Sequence, residues 1–148
     1  MSEYLDASVI VKWFKKGEPH EPEAMELFRK IRELEMDAVS SEWTTLEVVR
    51  GLSKVGYPEK KIEASYEIIM ELSGMGLIRL IPVTGTIPLA KSFEIEYNLY
   101  AADAVHLAAS IVSGSSILWS EDRHLVKESV LAAALRYGVE IKRLQEVF

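Results

Sequence analysis

The sequence predicts a three-layer α/β/α sandwich built on a central, mostly parallel β-sheet. Short apolar runs typical of strands alternate along the whole chain with segments whose apolar residues recur every three or four positions, as on one helix face. Strands separated by helices favour parallel pairing, with helices covering the sheet. Residues 1–148 contain no internal repeat, linker or low-complexity tract, so we expect a single domain.

In the first half of the chain, proline and serine mark where helices begin. Pro22 and Pro58 suit the first turn of a helix, where the missing N–H is of little consequence. Ser40 and Ser41 can accept hydrogen bonds from the first N–H groups of another helix. The predicted strands here are 3–5 and 38–39, and the predicted helices are 22–34, 41–53 and 58–74.

In the second half, an almost wholly apolar segment stands out between Tyr100 and Gly114. As a helix it would be buried on nearly every face, with Asp103 capping its start and Gly114 ending it. Asp122 is expected to lead the last helix. The predicted strands are 77–83, 116–120 and 139–144, and the helices are 86–97, 103–113 and 122–137.

Composition excludes several classes of protein. The chain has no cysteine, so it can form neither a disulfide nor a thiolate nucleophile nor a cysteine-ligated zinc site. No apolar run reaches the roughly 18 residues that span a bilayer, and the first residues begin a strand rather than a signal peptide. We therefore expect a cytoplasmic protein without a membrane segment.

The net charge of −6 argues against a broad basic surface for nucleic acid. Four carboxylates pooled in one metal site would carry −4 of that total and leave −2 for the rest of the chain. An acidic total is therefore compatible with a nucleic-acid substrate held by metal ions and a few local cations.

Four acids stand where elements begin or end. Asp6 follows the first strand, Asp122 follows a late one, Asp103 opens the apolar helix, and Glu47 lies at the edge of a helix's apolar stripe. Taken singly, each is as well explained as a turn, cap or helix-edge residue. Taken together, parallel topology would bring all four to one rim of the sheet. Carboxylate oxygens are the ligands that Mg²⁺ prefers, so the four acids predict a metal site.

At this point the motifs resemble those of a known family. The motifs are Tyr4-Leu-Asp6-Ala-Ser8, Glu47 after a serine-rich helix start, Ala102-Asp103-Ala-x-His106-Leu-Ala-Ala and Ser120-Glu-Asp122. Together they resemble PIN-domain ribonucleases, and among these the VapC-type toxins of toxin–antitoxin pairs. The resemblance covers the whole chain. It implies a parallel sheet flanked by helices, Mg²⁺ or Mn²⁺ as cofactor, and cleavage of single-stranded RNA.

The resemblance also implies roles for the four acids. Asp6 and Asp103 would be the main metal ligands. Asp122 would complete the metal site directly or through water, and Glu47 would position a second ion or the attacking water.

Neighbouring residues receive supporting roles from the same resemblance. Ser8 and Ser120 match positions that would steady the carboxylates by hydrogen bonds. Glu121 is an additional acid that the family pattern does not require. We favour Asp122 over Glu121 as the metal-facing residue, because strand alternation would point Asp122 to the same side as Ser120.

Other polar residues near the acids admit two interpretations. His106 follows Asp103 by one helical turn and suggests a general base, but a histidine on an apolar helix more often satisfies a hydrogen bond in the core. Arg50 and Arg123 each lie near a site acid in sequence and are candidates for contacting substrate phosphate.

The resemblance further implies two protein partners. A toxin would have an antitoxin, which we expect to place an Arg or Lys among the four acids. A homodimer is also expected, through residues 58–72 with Tyr66 and Met70 available. Two alternatives remain open: a PIN nuclease that processes cellular RNA without an antitoxin, and a catalytically silent binding module with the same fold. A haloacid-dehalogenase-type phosphatase is disfavoured because Ser8 stands where its second Asp belongs.

Overall fold

The computed structural model describes residues 1–148 and confirms the three-layer sandwich. The five strands are β1 (Ser2–Leu5), β2 (Asp37–Ser41), β3 (Ile78–Ile81), β4 (Ile117–Trp119) and β5 (Glu140–Lys142). They form one sheet in the order β3-β2-β1-β4-β5, and every neighbouring pair is parallel. The central strand is therefore β1, with β4 on one side and β2 on the other.

Seven helices cover the two faces of this sheet. They are α1 (Ala7–Ile10), α2 (Glu21–Arg32), α3 (Glu42–Lys54), α4 (Glu59–Gly74), α5 (Ile87–Tyr97), α6 (Ala101–Val112) and α7 (Glu128–Arg136). Short 3₁₀ turns follow α1 and precede α5, and a third lies near the carboxyl end. None of the helices combines the length and the hydrophobicity that crossing a bilayer requires.

Alternation along the strands builds two separate cores. Leu5 points to the face covered by α1, α2, α3 and α4, whereas Tyr4 points to the face covered by α5, α6 and α7. Val39 and Leu118, from the strands on either side, join Tyr4 in the second core. Both faces of the sheet are apolar, which explains why the strands show little polar alternation in the sequence.

Helix α6 is buried on most of its surface, as its apolar sequence predicts. Ala104, Leu107 and Ala108 have no exposed surface, and the small alanine side chains let the helix lie close to the sheet. Asp103 and His106 are buried with them. A helix that approaches the sheet so closely carries these two polar side chains to the edge where β1 ends.

The structure corrects two predicted helix starts. Asp103 does not cap α6: the residue at the cap is Tyr100, and Asp103 occupies the third helical position, where the helix dipole still favours an anion. Asp122 does not lead α7, which begins at Glu128, because residues 123–127 form turns. Helix α1 (Ala7–Ile10) is not among the predicted helices. The remaining strands and helices lie within a few residues of their predicted bounds.

The packing of α6 gives a first prediction. Replacing Leu107, which is fully buried, with Ala should lower the free energy of unfolding by about 2–5 kcal/mol, because a core cavity remains. The same substitution at Leu46, which is 58% exposed on α3, should change it by less than about 0.5 kcal/mol. Urea unfolding followed by circular dichroism measures both. Equal losses at the two positions would contradict the assignment of α6 to the core.

Candidate active site

The four acids singled out in the sequence line one pocket. Asp6, Glu47, Asp103 and Asp122 surround a cavity of about 240 Å³ at the edge where β1 and β4 end. A larger groove of about 580 Å³, between Phe14 and Ile68, has no carboxylate in its lining. Of these two cavities, the smaller one therefore holds the carboxylates that could bind a metal ion.

Asp6 is the most tightly held of the four. Its carboxylate accepts hydrogen bonds from Ser8 Oγ at 2.5 Å, Ser8 N at 3.0 Å and Ser120 Oγ at 2.5 Å. Burial raises the pKa of Asp6, and the negative charge of Asp122 adds to that effect, while His106 and the two serines act in the opposite direction. The two serines fix the carboxylate's orientation between the ends of β1 and β4.

Asp103 and Asp122 form a close carboxylate pair. Burial is the first cause that raises the pKa of Asp103, to about 7, and the hydrogen bond with Asp122 is the second. The negative charges of Asp122 and Asp6 act in the same direction. Asp103 therefore keeps its proton to a higher pH than an isolated Asp would, as expected for a buried carboxyl beside other carboxylates.

Asp122 rather than Glu121 lines the pocket, although not for the predicted reason. Strand β4 ends at Trp119, so strand alternation does not extend to either acid. Asp122 is aimed by a turn, in which its N–H donates to Ser120 Oγ at 3.0 Å and its carboxylate accepts from His124 N at 2.8 Å. Glu121 turns away and accepts hydrogen bonds from Arg143 Nε and Leu144 N.

Glu47 reaches the pocket from α3 and contacts a buried histidine. Its Oε1 lies 2.5 Å from His106 Nε2, and His106 Nδ1 lies 2.7 Å from the hydroxyl of Tyr4. Burial acts to lower the pKa of His106, but the hydrogen bond with Glu47 and the negative charge of Asp6 outweigh it, so the pKa is raised. Burial also raises the pKa of Tyr4, with Asp6 contributing.

Few cations face this pocket. Lys15 is the basic residue in its lining, and Lys15 Nζ also lies 3.4 Å from a carboxylate oxygen of Glu18. Arg50 and Arg123 are exposed and lie outside the lining, so their predicted contact with substrate phosphate stays a prediction. The carboxylates are thus left with an excess of negative charge.

The donor chemistry of the pocket fits a hard divalent cation. All four acids supply oxygen, and the negative charges of Asp122 and Asp6, which add to burial in raising the pKa of Asp103, are charges that a cation would offset. As the side chains stand, however, no three of the protein's acidic and histidine residues are grouped closely enough to hold a metal ion. Hydrogen bonds from the serines occupy Asp6, and the mutual bond occupies Asp103 and Asp122. These bonds would have to rearrange for an ion to bind.

Sequence reasoning missed two contributors to the site. The first strand and the Tyr4–Ser8 motif both include Tyr4, but neither predicts a role for it in the site, although Tyr4 lies two positions before Asp6 and so points to the same side. Lys15 stood among several basic residues, and nothing in the sequence distinguished it. For His106, the three-residue offset from Asp103 was the signal, because it places both side chains on one face of α6.

Comparison with known proteins supports this description. The PIN domain family model matches residues 4–129, which include all four acids. Among solved structures, a chain described as "Toxin-antitoxin complex from Klebsiella pneumoniae" aligns with a TM-score of 0.60 and 19% identity, covering 93% of this chain and 95% of that one. A search of curated proteins finds no match.

At 19% identity the structural likeness shows a shared fold, whereas the family model spans most of the chain. The chain belongs to the PIN domain family, whose members are generally nucleases.

Proposed function

We propose that this protein is a metal-dependent endoribonuclease that cleaves single-stranded RNA and serves as the toxin of a type II toxin–antitoxin pair. The observation that carries the proposal is the pocket itself, in which four carboxylates of a PIN domain meet with little compensating positive charge. Such a pocket attracts divalent cations, and cation-filled carboxylate pockets suit the cleavage of phosphodiester bonds.

The four acids and the two serines would have separate roles in cleavage. Asp6, Asp103 and Asp122 would hold Mg²⁺ or Mn²⁺, with Ser8 and Ser120 keeping the first of these acids oriented. A bound ion would neutralise phosphate charge and lower the pKa of a bound water. Glu47, which comes from α3 on the other face of the sheet from α6, would orient the attacking water or a second ion.

The substrate would be held mainly by its phosphates. Lys15 in the lining, and Arg50 and Arg123 near the acids in sequence, are the candidates for contacting them. A flexible single strand bends into a small pocket more readily than a duplex does, which supports single-stranded RNA as the substrate class.

The toxin assignment is supported by the structural neighbour, whose description names a toxin–antitoxin complex. The pocket supplies a physical reason for inhibition, because an Arg from another protein would pair with these carboxylates bidentately and could not lose its charge. A PIN nuclease that processes cellular RNA without an antitoxin is the second candidate. A small gene encoding an antitoxin beside this one would distinguish the two.

Removing one acid tests the nuclease assignment. Asp103→Asn should lower cleavage of a mixed RNA pool in Mg²⁺ or Mn²⁺ by roughly a thousandfold, because the amide is a much poorer metal ligand than a carboxylate. Chelation with EDTA should abolish the activity of the unmodified protein. Gel analysis of the RNA products measures both effects.

Glu121→Gln is the matched control, since Glu121 neighbours Asp122 in sequence but faces Arg143. Its activity should stay within about threefold of the unmodified protein, as for a residue that does not touch the reacting groups. Full activity in EDTA, or in Asp103→Asn, would defeat the metal-dependent mechanism. Absence of cleavage by the unmodified protein with either metal would favour the silent binding module.

The carboxylate pair predicts a specific pH dependence of stability without metal. The pKa of Asp103 is about 7 in the folded chain, and about 3.9 is usual in an unfolded one. The folded state therefore binds more protons between these values, so this group destabilises the protein as pH rises through that range. Asp103→Asn should raise the melting temperature clearly at pH 8 in EDTA.

At pH 5, in contrast, the protonated Asp103 already donates to Asp122 much as an Asn amide would. The two proteins should then melt at nearly the same temperature. Thermal unfolding at both pH values measures the difference, and a gain of equal size at pH 5 and pH 8 would show that carboxylate repulsion is not its cause.

We also propose that the protein forms a homodimer through α4. Met70 and Ile68 are each 38% exposed on this helix, and Tyr66 is partly exposed beside them. Met70→Glu should shift the mass measured by light scattering at micromolar concentration from dimer to monomer, because it would bury a charge at the interface. Leu135→Glu, at an exposed apolar residue on α7, should leave the mass unchanged. A monomeric unmodified protein would contradict the proposal.

A further inference from the structure

We propose that His106 is a positioning residue, which Tyr4 anchors in the core and which sets the location and orientation of the Glu47 carboxylate in the pocket. This inference rests on the proposed function, because Glu47 is taken to orient the water or the ion used for cleavage. It assigns no proton transfer to His106.

Two hydrogen bonds connect Tyr4, His106 and Glu47, and together they run from the core to the pocket. The Tyr4 hydroxyl lies 2.7 Å from His106 Nδ1, and His106 Nε2 lies 2.5 Å from Glu47 Oε1. Tyr4 is 0% exposed and His106 is 2% exposed, whereas 29% of the Glu47 side chain is exposed. Packing in the core fixes Tyr4 and His106, and Glu47 is the one of the three that reaches solvent.

The direction of the hydrogen bonds follows from the groups involved. An ionised carboxylate can only accept, so His106 Nε2 must donate to Glu47. In the neutral ring, Nδ1 is then left to accept from the Tyr4 hydroxyl. In the protonated ring, which the raised pKa of His106 favours, Nδ1 instead donates to the Tyr4 oxygen. In either state Tyr4 fixes the ring orientation and Nε2 presents an N–H to Glu47, as second partners of site histidines commonly do.

Glu47 needs such a partner more than the other acids do. Asp6 is held by three hydrogen bonds, and Asp122 is held by its turn. Glu47 has a longer, more flexible side chain in the middle of α3, and His106 is its single hydrogen-bond partner. Without His106, the Glu47 carboxylate would be free to move among several rotamers and to swing toward solvent.

The positions of Tyr4, His106 and Glu47 indicate that His106 does more than satisfy a hydrogen bond in the core. His106 lies on α6, which covers one face of the sheet, and Glu47 lies on α3, which covers the other. Their hydrogen bond joins the two layers at the pocket, where all four acids meet. A histidine that only satisfied a core hydrogen bond would need Tyr4 and not Glu47.

Three variants test the inference by two measurements, Mn²⁺ affinity by calorimetric titration and kcat on a defined single-stranded RNA. His106→Leu removes the donor and fills similar space, and it should lower Mn²⁺ affinity and kcat by about 10–100-fold. Tyr4→Phe keeps the ring and removes the anchor, so it should lower both by a smaller factor. His106→Gln supplies an N–H donor to Glu47 and should restore most of the loss.

Leu107→Ala is the control for stability, because Leu107 adjoins His106 on α6, packs in the same core as Tyr4 and has no polar side-chain atom with which to hydrogen-bond these groups. Measured where it is folded, it should keep Mn²⁺ affinity and kcat within about twofold of the unmodified protein, since its effect is confined to packing. A loss of function in Leu107→Ala as large as in His106→Leu would overturn the inference, because general destabilisation would then explain both.

The outcomes separate this inference from the function on which it rests. If Asp103→Asn abolishes cleavage while His106→Leu keeps kcat and Mn²⁺ affinity, the nuclease assignment stands and the positioning role is wrong. The positioning role is also wrong if His106→Gln is as impaired as His106→Leu, since a donor at this position would then be irrelevant. If the unmodified protein neither binds Mn²⁺ nor cleaves RNA, both proposals fall together.

Discussion

The site depends on a register between the two strands at the centre of the sheet. Leu5 of β1 lies opposite Trp119 of β4, and the next residue, Asp6, donates its N–H to the carbonyl of Trp119 at 3.2 Å. Asp6 and Ser120 therefore leave the sheet side by side. Because parallel strands end at the same edge, the residues that directly follow β1 and β4 are brought close together. A shift of one residue would turn Asp6 or Ser120 to the opposite face.

Crowded carboxylates must be tolerated before any cation arrives. This chain stabilises them with neutral groups, namely the hydroxyls of Ser8 and Ser120 and the N–H groups of turns, rather than with Arg or Lys. Burial and the neighbouring acids still raise the pKa of Asp103, so these groups do not fully offset the cost of crowding. A basic side chain built into the pocket would stabilise the fold but occupy the place that a metal ion requires. The residual repulsion is consistent with a site kept ready for a ligand, at a cost in stability.

The sequence indicated which acids would meet but not what holds them. Asp6 follows an apolar strand, so parallel topology alone was enough to predict its place. The helix predicted at Asp122 was wrong, because the hydrogen bond that its carboxylate accepts from the N–H two residues further on occurs in turns and in helix caps alike. The contact between His106 and Glu47 joins residues 59 positions apart on helices of opposite layers. No local pattern encodes such a contact, since it depends on how both helices pack against the sheet.

Glu47 differs from the other three acids in the layer that supplies it. Asp6 and Asp122 follow central strands and Asp103 lies on α6, so their relative positions depend on β1, β4 and the face that α6 covers. Glu47 comes from α3 on the other face, and its distance from the rest varies with any sliding of the two helical layers. A hydrogen bond from α6 to Glu47 opposes that sliding at the pocket itself. The buried pair of Tyr4 and His106 thus makes the position of the Glu47 carboxylate depend on the packing of both cores.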